Sequence, residues 1–366
     1  MGFGIIVPLL YAYGKQFGVT GQTLGFLTAS FSIAQFFATP ILGSLSDKYG
    51  RKPLLAISLL GTCISFLMFA EARSMIMLFA ARILDGLTGG NISVAQAMIS
   101  DTSTPENRAK RFGMLSSAFG FGFIIGPALG GLLSDWGASV PFYFAAGIAL
   151  IGTLLTVFLL KETNPKGNIK TKTHFTFMSF VNVLKMRTIG TAIFIGFLLT
   201  MGQFTMIIGF QTLTYEVLKL NERNMGLLYT GFAAMGILAQ LSLSFISKKM
   251  PSKASILLGS TLLCLAAMFA SGFMSGIITF TVCIFIYGFF NGLRNPMLNA
   301  IIADKNNTER KGEVMGINQS YISIGQTLGP IAAGLVTAIS IHSVFWLSSL
   351  FILIAFLFSF KLKATE

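Results

Sequence analysis

Long apolar stretches separated by short polar segments dominate this chain of 366 residues. The stretches from Gly21 to Leu42 and from Leu54 to Ala70 contain no acidic or basic side chain. A membrane-spanning helix needs roughly 20 mostly apolar residues. The pattern predicts twelve such spans, at 1–14, 21–44, 54–70, 75–97, 113–133, 141–160, 189–214, 224–246, 254–272, 276–300, 314–337 and 343–360.

The first predicted span is short, because Lys15 ends the apolar run that starts at Met1. It also lacks the basic lead-in of a signal peptide. We therefore expect that the start of the first helix is missing from this chain.

Composition supports a membrane protein, since 54% of the residues are hydrophobic and only 11% are charged. Soluble domains carry about 25% charged residues. The mean hydropathy of +0.75 agrees with this. The sequence therefore predicts an integral, all-α membrane protein.

The Lys and Arg residues that give the net charge of +13 are distributed unevenly between the two sides of the predicted spans. Twenty Lys and Arg residues fall on one side of the predicted spans and four on the other. By the positive-inside rule the first side is cytoplasmic, which places both termini in the cytoplasm. This distribution excludes nucleic acid as the reason for the positive charge.

The largest polar interruption, Lys161 to Arg187, divides the spans into six and six. It predicts an N-terminal six-helix bundle at 1–160, a cytoplasmic linker at 161–188 and a C-terminal six-helix bundle at 189–366. A shift of 203 residues places Asp101 on Asp304 and Gly126-Pro127 on Gly329-Pro330. The halves are therefore predicted to be parallel repeats.

A polar segment from Gly43 to Leu55 joins the second and third spans and holds one acid, three bases and two glycines. Glycines suit a tight turn between helices. An ordinary solvated loop that follows the positive-inside rule is the alternative reading of its charges, above all for Lys48 and Lys52.

The fourth span contains Arg82 and, three residues on, Asp85. Charges inside a bilayer are costly unless they are paired or hydrated, and they commonly mark function. Residues three apart share a helix face, where the two can pair. Asp85 is the only carboxylate predicted well inside a span, so it is a candidate for titration during transport. A purely structural ion pair is the alternative.

The fifth span contains Gly122, Gly126, Pro127, Gly130 and Gly131 in one run. Small residues allow close helix approach, and proline weakens the helix. An ordinary packing seam is the alternative.

Further polar side chains inside the spans are candidates for lining a substrate cavity. Arg294, in the tenth span, has no acid in its own span, and either lines the cavity or extends towards the cytoplasmic end. Buried amides can instead connect helices. The predicted cavity residues are Gln35, Asn91, Gln96, Gln203, Gln211, Asn291 and Arg294.

Several runs carry a family resemblance. They are Gly43–Leu55, Gly86–Gly89, Arg108–Gly113 and the glycine–proline run of the fifth span. Together with twelve spans and a parallel repeat, they resemble the major facilitator superfamily. The first half is most similar to its twelve-span drug:proton antiporters, in the tetracycline-efflux and multidrug-efflux group.

The resemblance implies a fold of two pseudo-symmetric six-helix bundles. It implies a conformational latch at Asp47, Arg51 and Lys52, with Gly43 and Gly50 in the same motif. It marks Gly122–Gly131 as the antiporter motif and links Arg82 to proton coupling, for which Asp85 is the added candidate. The corresponding loop of the second half, Ser247–Lys253, lacks the acid and the glycines, so we expect an asymmetric latch.

Tetracycline pumps have acids in the first span, the third span and the second half. Here the first span has none, Ser65 occupies the third-span position, and the second half has none at mid-depth. A neutral or cationic amphiphilic drug, or an endogenous metabolite, is therefore at least as good a candidate substrate as tetracycline.

We expect a proton-driven exporter of small amphiphiles in the plasma (inner) membrane, monomeric, with substrate, protons and the bilayer as partners. No enzyme chemistry, cofactor, disulfide or metal spacing is predicted, and no nucleotide-binding Gly-rich loop occurs. The alternatives are a sugar or metabolite carrier on the same scaffold, and a transport-inactive relative that serves as a receptor or assembly component.

Overall fold

The structure, a computed structural model, describes residues 2–164, 183–250, 252–305 and 311–363. Within these ranges the regular secondary structure is entirely helical. The helices are α1 Gly2–Lys15, α2 Gly21–Tyr49, α3 Arg51–Ala70, α4 Met75–Thr88, α5 Asn91–Thr102, α6 Pro105–Leu133, α7 Val140–Leu159, α8 Arg187–Thr212, α9 Glu222–Lys249, α10 Lys253–Ser271, α11 Ile277–Lys305, α12 Lys311–Thr337 and α13 Ile341–Lys363. A short 3₁₀ turn, Ser134–Trp136, follows α6, and a π-helical turn, Leu213–Val217, follows α8.

These helices correspond to the twelve predicted spans, with α4 and α5 together forming the fourth. Ten stretches within the described residues are long and apolar enough to cross a membrane, counting Met75–Thr102 as one. Helix α1, with 14 residues, and α12 are not among the ten. The prediction of an all-α, multi-span membrane protein is confirmed.

The predicted turn between the second and third spans is much narrower than Gly43–Leu55. Helix α2 continues to Tyr49 and α3 begins at Arg51, so Gly50 alone separates them. Gly50 has φ +100°, a conformation that L side chains rarely adopt. Gly43 lies inside α2, so the expectation that both glycines make a turn is wrong for Gly43.

The fourth span is interrupted at Gly89 and Gly90, between α4 and α5. The Gln35 side-chain amide of α2 donates to the Gly89 carbonyl at 3.1 Å. A Cβ atom at Gly90 would lie 2.8 Å from Cβ of Leu42. The break therefore allows the backbone of this span to approach α2 closely.

The chain forms two compact units. The first comprises Met1–Thr20, Leu27–Thr173 and Asn221–Thr230, and the second comprises Gly21–Phe26, His174–Leu220 and Gly231–Glu366. The start of α2 thus belongs to the second unit and the start of α9 to the first. The predicted linker lies mostly outside the described residues, and the domain bounds at 160 and 189 remain predictions.

Within the first unit, α1 packs on α6 and α7, and α3 packs on α4, α5 and α7. Helix α3 is the central support of the fourth span. Ser58 donates to the Thr88 carbonyl, and a Cβ at Gly61 would collide with Thr88. Small residues on α3 therefore place α4 at close range.

Within the second unit, α8 packs on α11, α12 and α13, and α10 packs on α11 and α13. These pairings repeat those of the first unit. A shift of 203 residues places α3 on 254–273, which overlaps almost all of α10, Lys253–Ser271. The same shift places α7 on 343–362, which lies inside α13, Ile341–Lys363. The predicted parallel repeat therefore has a structural counterpart in helix bounds and packing.

Polar residues at the helix starts explain several of these bounds. The Ser74 and Ser252 hydroxyls accept hydrogen bonds from the amides of Met77 and Ser255, at 3.3 and 3.0 Å. At α6, the Thr104 amide donates to the Asn107 side chain at 3.0 Å. Such caps satisfy amides that the first turn of a helix leaves without partners.

Candidate functional site

Arg82 and Asp85 of α4 form a buried ion pair in the first unit. Nη1 of Arg82 lies 3.7 Å from Oδ2 of Asp85, as the spacing of three residues predicts. Arg82 is 2% exposed and Asp85 8% exposed. The guanidinium carbon lies 4.3 Å from the centre of the Phe31 ring on α2, a cation–π arrangement.

The Asp85 carboxylate also faces α3. The side chains of Thr62 and Ser65 lie near it, and the Ser65 hydroxyl is fully buried and donates to the Thr62 carbonyl at 2.9 Å. Gly86 makes this arrangement possible, because a Cβ there would lie 2.7 Å from Cβ of Ala34. The carboxylate therefore has one cation and two hydroxyls around it, and three helices contribute to its surroundings.

Arg51, the first residue of α3, contacts acidic side chains from two other helices. Its Nη2 lies 2.6 Å from Oδ1 of Asp47, and its Nε lies 3.1 Å from Oδ2 of Asp101 at the end of α5. Its Nη1 donates to the Ser46 hydroxyl at 2.6 Å. The structure thus brings together two predicted latch residues and an acid that the sequence analysis used only to mark the repeat.

Glu162, just beyond α7, caps the start of α3. Its carboxylate accepts from the amides of Arg51 at 2.9 Å and Lys52 at 3.0 Å. The amides of Thr163 and Asn164 each donate to it at 2.8 Å. Partial burial opposes ionisation, but these four N–H groups outweigh it and hold the pKa of the Glu162 carboxyl below its usual value.

Sequence reasoning did not assign Glu162 to the latch, because it is more than 100 residues from Arg51. For Asp101 a signal was present, since the repeat aligns it with Asp304. Asn164 also donates to the Asp47 carbonyl at 3.1 Å. We call Asp47, Arg51, Asp101 and Glu162 the α2–α3 charge cluster.

The second unit retains one ion pair of this kind. Lys253 at the start of α10 contacts Asp304 near the end of α11, in positions that correspond closely to Arg51 and Asp101. The expected asymmetry therefore needs a correction. The second loop lacks the acid and glycines, but a base–aspartate pair remains because each partner lies on a helix that the repeat preserves.

The glycine–proline run of α6 packs against backbone within the first unit. A Cβ at Gly4 of α1 would lie 3.4 Å from Cα of Gly126, and one at Gly130 would lie 3.0 Å from the Ile5 carbonyl oxygen. On the adjacent side, a Cβ at Gly131 would lie 3.1 Å from Cα of Arg223. The motif therefore serves two close contacts, one with α1 and one with the start of α9.

The corresponding residues of α12 do the same within the second unit. A Cβ at Gly329 would lie 2.7 Å from the Met201 carbonyl oxygen of α8, and one at Gly334 would lie 3.1 Å from Cα of Gly25. The Thr205 hydroxyl donates to the Gly329 carbonyl at 3.2 Å. Close packing on two sides is therefore a property of both repeats.

The predicted cavity amides lie in both units and differ in exposure. Gln35, Asn91, Gln203 and Asn291 are half-buried, Gln96 is exposed and Gln211 is 1% exposed. Nothing in this distribution tests whether they line one cavity, so that remains a prediction. Arg294, also in this set, is 2% exposed, which does not fit a side chain that extends to the membrane surface.

The helices and the buried charges define a polytopic helical membrane protein built from two similar units. A family model described as Major Facilitator Superfamily matches residues 1–221 and 192–366. The chain belongs to the major facilitator superfamily, whose members related to this chain are transporters and not enzymes.

Relatives among characterised proteins are drug-resistance proteins of bacteria. Multidrug resistance protein 2 of Bacillus subtilis is 31% identical over 352 residues, 93% of this chain and 86% of the relative. Quinolone resistance protein NorA of Staphylococcus aureus is 27% identical, over 91% of this chain and 86% of the relative. The class B tetracycline resistance protein of Escherichia coli is 29% identical, over 90% and 84%.

A solved structure shares the fold. It is a bacterial homologue of the human lysosomal transporter Spinster, in an inward-facing and unoccupied conformation. It has a TM-score of 0.81 at 15% identity, over 99% of this chain and 94% of the other. The predicted fold class and family are therefore confirmed.

Proposed function

We propose that this chain is a secondary active transporter that exports small amphiphilic molecules in exchange for protons by alternating access. It works as a monomer in the plasma membrane, with both termini in the cytoplasm. The drug-resistance names of its relatives support export of such molecules. The positive-inside distribution of Lys and Arg supports the orientation.

One observation carries the proton coupling: Asp85 is a buried carboxylate beside Arg82 in a membrane-length helix. An ionisable group at such a depth is functional by default. In our proposal a proton that reaches Asp85 neutralises the carboxylate and releases Arg82 from the pair.

The α2–α3 charge cluster is the proposed latch. Its contacts join the α2–α3 junction to the end of α5 and to the segment after α7. Charge contacts that connect separate helix ends can hold one conformation and break in another. Lys52 contributes its backbone amide to this network, and Gly50 provides the turn.

The antiporter motif is the proposed flexible seam. Pro127 removes one backbone hydrogen bond from α6, and the flanking glycines let α1 and the start of α9 slide against it. In this proposal the half-buried amides contribute to substrate binding, Gln35 and Asn91 in the first unit, and Gln203 and Asn291 with Arg294 in the second.

The test is efflux of ethidium from cells that express this chain, with and without a protonophore. Asp85→Asn is compared with the wild type and with Asp135→Asn, the same chemical change at an exposed acid outside the spans. We expect protonophore-sensitive efflux in the wild type and Asp135→Asn. Proton-driven efflux should fall to the protonophore-treated level in Asp85→Asn, because asparagine can neither take up nor release a proton at this position.

Full efflux in Asp85→Asn would remove Asp85 from the coupling mechanism. Wild-type protein that reaches the membrane but exports no dye would contradict multidrug export. That outcome would favour a metabolite carrier or a transport-inactive relative.

A further inference from the structure

Arg294 is a buried cation in the second unit that the coupling mechanism does not use. Its Nη2 donates to the Tyr287 hydroxyl at 3.3 Å and also to Oδ1 of Asn291. The guanidinium carbon lies 5.4 Å from the centre of the Tyr287 ring. All three residues belong to α11 and lie on one face, at spacings of three, four and seven.

The burial of Arg294 argues against a lipid headgroup as its partner. Helix α11 runs over 29 residues, Ile277–Lys305. At a rise of about 1.5 Å per residue, Arg294 is about 16 Å from the last residue and only about 4.5 Å from the helix midpoint. A side chain so placed and 2% exposed does not reach the interface.

The charge of Arg294 is not balanced by any carboxylate among the residues that the structure describes. Its Nε and Nη1 are buried and have no hydrogen-bond partner there. Its two acceptors, a phenol and an amide, are neutral. Arginine stays protonated in proteins, and a buried charge without a counter-charge is strongly unfavourable. Among the described residues the guanidinium therefore lacks a counter-charge, which a bound anion would supply.

The surroundings of the cation are apolar and aromatic. The Tyr287 ring stacks on Phe232 of α9 with ring centres 6.1 Å apart. The Cys264 thiol of α10 donates to the Tyr287 carbonyl at 3.7 Å. These neighbours are buried, so an anion that reaches Arg294 would be held in apolar surroundings, where a charge-assisted hydrogen bond is strong.

We propose that Arg294, with Tyr287 and Asn291, binds the carboxylate of an amphiphilic substrate. Its guanidinium supplies a permanent positive charge and a charge-assisted hydrogen bond from Nη1 or from Nε, the two nitrogens without a partner among the described residues. Asn291, half-buried, accepts from Arg294 through its oxygen and keeps its NH₂ group to donate to the same ligand. This inference rests on the proposed export function and narrows it to carboxylate-bearing amphiphiles.

A matched pair of dyes tests the site. Rhodamine 110 carries a free carboxylate, and rhodamine 123 is its methyl ester. Binding of each is measured by fluorescence to purified protein in a non-ionic detergent without added phospholipid. We expect the wild type to bind the acid about tenfold or more tightly than the ester, since charge-assisted hydrogen bonds are about twice as strong as neutral ones.

Two variants separate charge from packing. Arg294→Gln should lose the preference because it binds rhodamine 110 more weakly and rhodamine 123 as before. Arg294→Lys should keep part of the preference because the positive charge remains. The proposal would be overturned by a wild type that binds acid and ester equally or does not bind the acid. It would also be overturned if Arg294→Gln weakened the binding of both dyes equally.

Competition identifies the kind of anion. Sodium benzoate should displace rhodamine 110, and sodium chloride at the same concentration should not. Equal displacement by chloride would mean a site for any small anion and would overturn the assignment to a substrate carboxylate.

Efflux of ethidium, which has no anionic group, keeps this proposal separate from the export function. A wild type that prefers the acid in binding but exports no dye in a proton-dependent manner would reject export and keep the site. Proton-driven ethidium efflux without any preference for the acid would reject the site and keep export.

Discussion

Among the described residues, each of the two units has an arginine buried within a predicted span, and the neighbours of the two arginines differ. Arg82 lies 3.7 Å from Asp85, whereas Arg294 contacts only the neutral side chains of Tyr287 and Asn291 among its described partners. Both guanidinium groups are 2% exposed. The repeats therefore share helix packing but not charge balance.

This difference assigns different roles to the two units. A carboxylate beside a cation can exchange a proton, and the cation is paired whenever the carboxylate is ionised. A cation without a carboxylate needs a counter-charge from outside the protein. We infer that the first unit supplies the proton site and the second unit the binding site for substrate charge.

The largest effect is expected from giving the second unit the acid that it lacks. Asn291→Asp places a carboxylate three residues before Arg294, where the two can pair. Rhodamine 110 should then bind about tenfold or more weakly, because the new acid competes for the guanidinium and repels the dye carboxylate. Fluorescence titration of the purified variant measures this, with rhodamine 123 as the internal control. Unchanged affinity for the acid would show that Arg294 does not bind it.

A second difference between the units is the turn before the third helix, where only the first unit has Gly50. Gly50→Ala should destabilise the protein by about 1–2 kcal/mol, because alanine is strained at positive φ. Its Cβ would also lie 2.6 Å from Oε2 of Glu162. The measurement is thermal unfolding of the purified protein in detergent.

Gly43→Ala is the matched control for stability. Gly43 lies inside α2, and a Cβ atom at this position would have no neighbour within 4 Å. Alanine there should therefore leave stability unchanged or raise it slightly. Equal destabilisation by both substitutions would show that the turn at Gly50 has no special role.

The Glu162 cap, which belongs to the first unit, gives a smaller and pH-dependent effect. Glu162→Gln should cost about 1 kcal/mol at pH 7. Because the folded-state pKa of Glu162 is lowered, this stabilisation is present above the unfolded-state pKa of about 4.3 and is lost as pH falls through the folded-state pKa. Unfolding temperatures of the wild type and the variant should therefore converge only once the pH is below the folded-state pKa of Glu162, which is itself lower than the ordinary value of a glutamate. A gap that persists at that pH would exclude the charged carboxylate as its cause.

The smallest effect is expected at the ion pair that the second unit retains. Lys253 and Asp304 are both exposed to solvent in part, so Lys253→Ala should change stability by less than about 1 kcal/mol. The same unfolding measurement, repeated at high salt, checks this. A larger loss of stability that disappears at high salt would show that this pair matters as much as we propose for the α2–α3 charge cluster.

Much of the fold was predictable because it depends on local patterns. Apolar runs of membrane length gave the spans, and the alignment of Asp101 with Asp304 gave the repeat. The pairing of Arg82 with Asp85 followed from spacing on one helix. Predicted bounds failed where helices extend into polar sequence, as α2 does to Tyr49, because charged residues at a helix end remain compatible with helix formation.

The sequence by itself determined the class of protein, the pattern of long apolar segments and which charges lie inside them. Only the tertiary structure decided which distant groups meet. Glu162 reaches the amides of Arg51 and Lys52 across more than 100 residues of chain, and the hydrogen-bond partners of Arg294 among the described side chains are neutral. Hydrophobic pattern and helix spacing act over a few residues, whereas the partner of a buried charge depends on how helices pack, which no local pattern specifies.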